Sequence, residues 1–143
     1  MYSGARSQRE TALATEVMPK QQWQTLLLLS AAQSLVDLVS EVSGPQWKVE
    51  HLLIVRGNPF TLPNLRLVLL DDGVVEENER GWLLGQIRKH APDASLLYVA
   101  ASHTEENERR ARSNGALYYV SKPLQPSQFI LVLQAFLNAH QAK

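Results

Sequence analysis

Asn114-Gly115-Ala116-Leu117-Tyr118-Tyr119-Val120-Ser121-Lys122-Pro123 is the stretch on which the reading of this chain turns. Asn-Gly ends a helix, because glycine takes the left-handed conformation at low cost. Leu117 to Val120 is short, apolar and rich in aromatic or β-branched residues, so it is expected to be a buried strand. Lys122 then falls at the carboxyl end of that strand, and Pro123 stops the ladder by removing a donor. In an open parallel sheet the carboxyl ends of the strands form the ligand crevice. A lysine there is placed to meet an anion, although Lys-Pro by itself would be no more than a solvated loop.

The neighbouring segments extend the pattern. Thr104 to Asn114 reads as a charged helix with acid leading and base trailing, as the helix dipole prefers. Glu105-Arg109, Glu106-Arg110 and Glu108-Arg112 form i,i+4 pairs of the favourable orientation. Ser102-His103-Thr104-Glu105 fits a capping box with Ser102 as the cap. Ser95 to Ala101 is a further strand, burying Leu96, Leu97, Tyr98 and Val99. Downstream, Gln125-Pro126-Ser127 opens a last helix. Its core stripe is Phe129, Val132, Leu133, Phe136 and Leu137. Ile130 and Leu131 lie off that stripe. With Tyr118 they are expected to form an apolar patch for a partner or a second copy.

Leu65-Arg66-Leu67-Val68-Leu69-Leu70-Asp71-Asp72 is a strand that runs directly into acid. Val74 to Glu79 is an acidic connection. The helix from about Asn78 carries Trp82, Leu83, Leu84, Ile87 and His90, and Ala91-Pro92 ends it. Its acidic start suits a helix N-terminus, so Glu76, Glu77 and Glu79 need not mean metal. Earlier still, Trp23 to Leu29 fits a first buried strand, followed by Ser30, Ala31 and Ala32. Ser34 is read as the cap of a helix that Gly44-Pro45 stops. Trp47 to Val55 is a second strand, in which His51 is structural, with no partner cluster around it. Gly57, Pro59 and Pro63 argue for a loop or a single turn between this strand and the next. That leaves sheet face exposed or covered by Phe60 and Leu62. Residues 1–22 read as a flexible leader, with a short helix at Thr11 to Met18 stable only if docked. Residues 23–143 form one domain.

Helix, Gly-Ala, aromatic strand, Lys-Pro and closing helix, in this order and spacing, resemble the second half of a response-regulator receiver domain. The resemblance is strong from Ser95 onward and weak before Leu65. It implies an α/β fold of flavodoxin-like (CheY-like) type: a doubly wound, five-stranded parallel sheet, here with a shortened or missing second helix. It also implies an aspartate that accepts a phosphoryl group. The apolar register favours Asp71 for that position. Counting back from Leu83, Leu84 and Ile87 favours Asp72. Lys122 matches the family lysine, and Ala100 and Tyr119 fall at the switch positions. Ser30 and Ala31 stand where the family keeps the acidic pair that holds a divalent metal. A hard cation takes several oxygen ligands, mostly carboxylates, so a Mg²⁺ site of the family type should be very weak. At Ala100 the hydroxyl that senses the phosphoryl group is also missing.

Composition narrows the remaining classes. The chain has 143 residues, no Cys and a formal net charge of zero. That suits one domain and excludes disulfides and thiolate zinc sites. It offers no electrostatic footprint for nucleic acid or an anionic membrane. A cytoplasmic protein without a secretory leader is expected. The expected function is an atypical receiver in phosphorelay-related signalling. It would be a protein-interaction module and not an enzyme, without conventional Mg²⁺-dependent aspartyl phosphorylation. No cofactor is expected, with Mg²⁺ relevant only if phosphorylation is retained. Expected partners are a protein such as a histidine kinase or output domain, or a second copy, through the last two helices and the last strand. One alternative is a receiver that accepts phosphate on Asp71 or Asp72. Another is a small flavodoxin-like nucleotide binder or enzyme, for which no Gly-rich phosphate loop follows the first strand.

Overall fold

The apolar runs become the five strands of one parallel sheet in a computed structural model that describes residues 23–53 and 58–141. The strands are β1 (Gln24–Leu29), β2 (Trp47–Leu52), β3 (Leu65–Asp71), β4 (Ser95–Ala100) and β5 (Ala116–Ser121). Their spatial order is β2-β1-β3-β4-β5. The helices are α1 (Gln33–Ser43), α2 (Arg80–His90), α3 (Glu105–Ser113) and α4 (Pro126–Gln141). This is the doubly wound flavodoxin-like order, with its crevice at the carboxyl ends of β1 and β3.

Helices cover both faces, which explains why the central strands read as unbroken leucine and not as alternation. Leu26, Leu28, Leu67, Leu69, Leu97 and Val99 pack against Leu35 and Val39 of α1 and Phe129, Leu133 and Leu137 of α4. Leu27, Leu29, Val68, Leu70 and Tyr98 pack against Leu83, Leu84 and Ile87 of α2 and Ala111 of α3. Because successive side chains alternate across a strand, Asp71 and Asp72 leave the end of β3 toward opposite faces.

Between β2 and β3 the described residues hold only a 3-10 turn, Pro59–Thr61. The Asn58 side chain accepts a hydrogen bond from the Phe60 amide and fixes this turn. Phe60 is buried in the α2/α3-side core and Leu62 packs against it, so these two side chains cover the face.

Several expectations need correction. β2 ends at Leu52, and Leu53 is an exposed bend; Val55, the leader and its short helix lie outside the described residues. Leu117 is not buried: the β4–β5 register jumps from Leu96↔Ala116 to Leu97↔Tyr118, so Leu117 is the extra residue of a bulge and is 60% exposed. Trp82 lies on the solvent side of α2. Ala32, not Ser34, is the α1 N-cap, and no side chain caps that helix. Thr104, not Ser102, caps α3: its Oγ1 accepts from the Asn107 amide at 3.0 Å. Of the three α3 pairs, Glu108–Arg112 closes at 2.9 Å. Arg110 instead turns inward, where Nη2 donates to Asn107 Oδ1 at 3.4 Å.

Candidate functional site

Three strand ends meet at the crevice. Ser30 follows β1, Asp71 ends β3, and Lys122 follows β5. The Lys122–Pro123 peptide bond is cis. Lys122 Nζ donates to Asp71 Oδ2 at 2.8 Å, and Ser30 Oγ donates to the same oxygen at 2.8 Å. The Gly73 amide donates to Asp71 Oδ1 at 3.2 Å. Ser30 Oγ in turn accepts from the Ala32 amide at 3.0 Å. The Ser30 carbonyl accepts from His51 Nε2 at 2.6 Å, which gives that histidine its structural role in tying β2 to the end of β1. Asp71 is 1% exposed, so its charge is held by an ammonium, a hydroxyl and an amide. This is an internally satisfied carboxylate with charge-assisted bonds at both oxygens.

Asp72 is fully buried on the other face and serves a different cluster. Its Oδ2 accepts from Tyr98 Oη at 2.7 Å and from Asn107 Nδ2 at 3.1 Å. Its Oδ1 accepts from the Ala101 amide at 2.8 Å. Arg80 Nη1 lies 3.5 Å from Oδ2. One side chain thus joins the start of α2, the end of β4 and the first turn of α3. Burial first, then the hydrogen bond to Asp72, pushes the Tyr98 hydroxyl well above the usual tyrosine range. The protonated phenol is therefore the donor at neutral pH.

The remaining predicted positions lie around this cluster. Ala100 is fully buried and carries no hydroxyl; its carbonyl accepts from the Lys122 amide at 2.9 Å. Tyr119 stacks on Tyr98 with ring centroids 5.6 Å apart, and its hydroxyl lies 3.0 Å from His103 Nδ1. Burial chiefly raises the Tyr119 hydroxyl too. Ala31 is exposed and brings nothing to Asp71. Tyr118 and Ile130 are half-buried, Tyr118 against Phe129, whereas Leu131 is 67% exposed.

The family metal does not fit these residues. Among the described residues no group of three or more His, Asp or Glu side chains converges. Asp71 already has donors on both oxygens, Ser30 presents a hydroxyl spent on Asp71, and Asp72 faces away. A hard divalent cation would meet one carboxylate and an ammonium 2.8 Å from it.

Sequence reasoning missed Tyr98, Asn107 and Arg80 as partners of Asp72. A hydroxyl-bearing residue in the middle of an apolar strand was the one available signal for Tyr98. Asn107 shares a helix face with Ala111, four residues on, and that spacing marks it as buried.

The fold has many solved counterparts. A response regulator from Thermotoga maritima aligns with a TM-score of 0.63 at 16% identity, over 81% of this chain and 98% of that one. A CheY-like receiver domain protein from Methanospirillum hungatei JF-1 gives 0.67 at 18% identity, over 84% and 98%. A putative pilus assembly-related protein from Burkholderia pseudomallei gives 0.62 at 14% identity, over 87% and 96%. No protein-family model and no curated protein matches the chain. The architecture is that of the CheY-like receiver domains of response regulators.

Proposed function

We propose that this protein is an atypical receiver in signal transduction that acts by binding another protein, without conventional Mg²⁺-dependent aspartyl phosphorylation. The observation that carries this reading is the shell of Asp71: Lys122 and Ser30 share one oxygen, Asp72 is committed to another cluster, and among the described residues no three acidic or histidine side chains converge. Phosphoryl transfer to a carboxylate needs positive charge on the transferring oxygens. Among the described residues Lys122 alone supplies it here, with one of its donors committed to Asp71. Asp71 is assigned the phosphoacceptor-equivalent position because it meets Lys122.

The output side of the site supports the same reading. Ala100 has no hydroxyl with which to sense a new group, and Tyr119 is held by Tyr98 and His103. Asp72 ties the end of β4 to α3 without any added phosphoryl group. On the α3–β5–α4 face Leu117 and Leu131 are the exposed large apolar residues. A histidine kinase, an output domain or a second copy is the partner class for that face. Among the described residues no helix is long and apolar enough to cross a membrane, and a cytoplasmic location goes with this role.

Incubation of the full chain with acetyl phosphate or phosphoramidate and Mg²⁺, followed by intact-mass and peptide analysis, tests the proposal. No added phosphoryl mass is expected; phosphate on Asp71 or Asp72 overturns it.

A further inference from the structure

Beside Lys122, on the α1/α4 side of the sheet, lies a cavity of about 560 Å³. Its walls are mainly apolar: Leu35 and Leu38 from α1, Pro123 and Leu124 from the loop that leads into α4. Lys122 is the one charged group among the described residues that line it, and Ser34 adds a hydroxyl at the rim. The size and the lining, apolar with a few polar groups at one end, are those of a small-molecule site.

The polar end offers N–H donors from two separate sources. The Lys122 ammonium has three donors, of which one is committed to Asp71, and its side chain remains 32% exposed. The N-terminus of α1 meets the same space through Ala32 and Ser34, with no side-chain cap and no acidic residue in its first turn. Ser30 Oγ takes the Ala32 amide at 3.0 Å, and no side chain caps the amides that follow. Ser30 and Ala31 contribute no negative charge between the two.

We propose that this cavity binds a small monocarboxylic acid with an apolar body. Its carboxylate would lie between Lys122 and the start of α1, and its hydrocarbon part between Leu35, Leu38 and Leu124. This goes beyond the receiver reading, since it assigns a small-molecule site beside Lys122 that does not depend on a protein partner.

Octanoate is the probe, titrated into the full chain while leucine methyl and backbone amide resonances are followed, with octan-1-ol as the uncharged control. Saturable octanoate binding is expected, with shifts at Leu35, Leu38, Leu124 and Lys122. Octanol should bind about tenfold or more weakly, the scale of a lost charge-assisted contact. Ser34→Asp places a charge where a helix favours it, so the variant should fold, yet it should weaken octanoate about tenfold and leave octanol unchanged. Leu38→Trp, which fills the cavity, should abolish both. Equal binding of octanol and octanoate, shifts elsewhere on the surface, or no saturation would each overturn the proposal.

Discussion

Asp71 and Asp72 are adjacent in the chain and opposite in environment. Asp71 sits in the crevice with one ammonium, one hydroxyl and one amide, and Lys122 keeps contact with solvent. Asp72 is sealed on the α2/α3 side, where a phenol, a carboxamide, a backbone amide and a guanidinium converge on it. One strand end has thus made one carboxylate available to a site and turned its neighbour into a structural tie. In sequence only the apolar register before the Asp-Asp pair points to Asp71; the pleat imposes the division.

The contrast can be broken by mutation. Asp72→Ala strands four donors in the interior and should cost about 4 kcal/mol in urea unfolding, the scale of breaking a buried charged network. A loss no larger than that of Asp71→Ala would refute the division of roles. Restoring the acids with Ser30→Asp/Ala31→Asp crowds three carboxylates where the ends of β1 and β3 meet and should cost about 2–3 kcal/mol without metal. The variant should regain stability with millimolar Mg²⁺, whereas the parent's unfolding midpoint should not move. Asp71→Ala should cost about 1–2 kcal/mol, because the freed Lys122 can turn to water.

Tyr98→Phe sharpens the picture of the Asp72 side and should cost about 1 kcal/mol at neutral pH. The folded-state pKa of Tyr98 is raised, so its contribution is complete below the ordinary tyrosine value, about 10, and is lost as pH rises above it. The parent should therefore lose stability above that pH more steeply than the variant. Absorbance titration should show the Tyr98 phenol protonated until the alkaline unfolding and the Tyr119 phenol shifted upward from an ordinary tyrosine. The smallest effect is expected at the exposed Leu131: Leu131→Glu should change stability by less than about 0.5 kcal/mol. It should weaken any self-association seen by sedimentation.

The legible part of the molecule was the part written in periodicity and punctuation. Continuous leucines in β1 and β3 gave a sheet covered on both faces. Gly57, Pro59 and Pro63 argued against a full helix before β3, and Gly115 to Pro123 placed a lysine at a strand end. The illegible part depended on three-dimensional partners. Ser30 reads in sequence as the loss of an acid, yet it is a donor to Asp71. Ser102 opens a capping-box pattern, and only the backbone path of the β4–α3 turn moves the cap to Thr104. Arg110 has a matching acid at Glu106, but the buried Asp72 cluster draws it inward. Leu117 reads as core because a bulge leaves no trace in composition.

The account rests on the shortage of negative oxygens around Asp71. Beryllofluoride with Mg²⁺, which fills a working receiver site without covalent chemistry, tests it most directly when added to the ¹⁵N-labelled chain. The account predicts no saturable shift at the Asp71, Gly73, Ala101 or Lys122 amides at millimolar Mg²⁺. A saturable, Mg²⁺-dependent shift at those amides would contradict it.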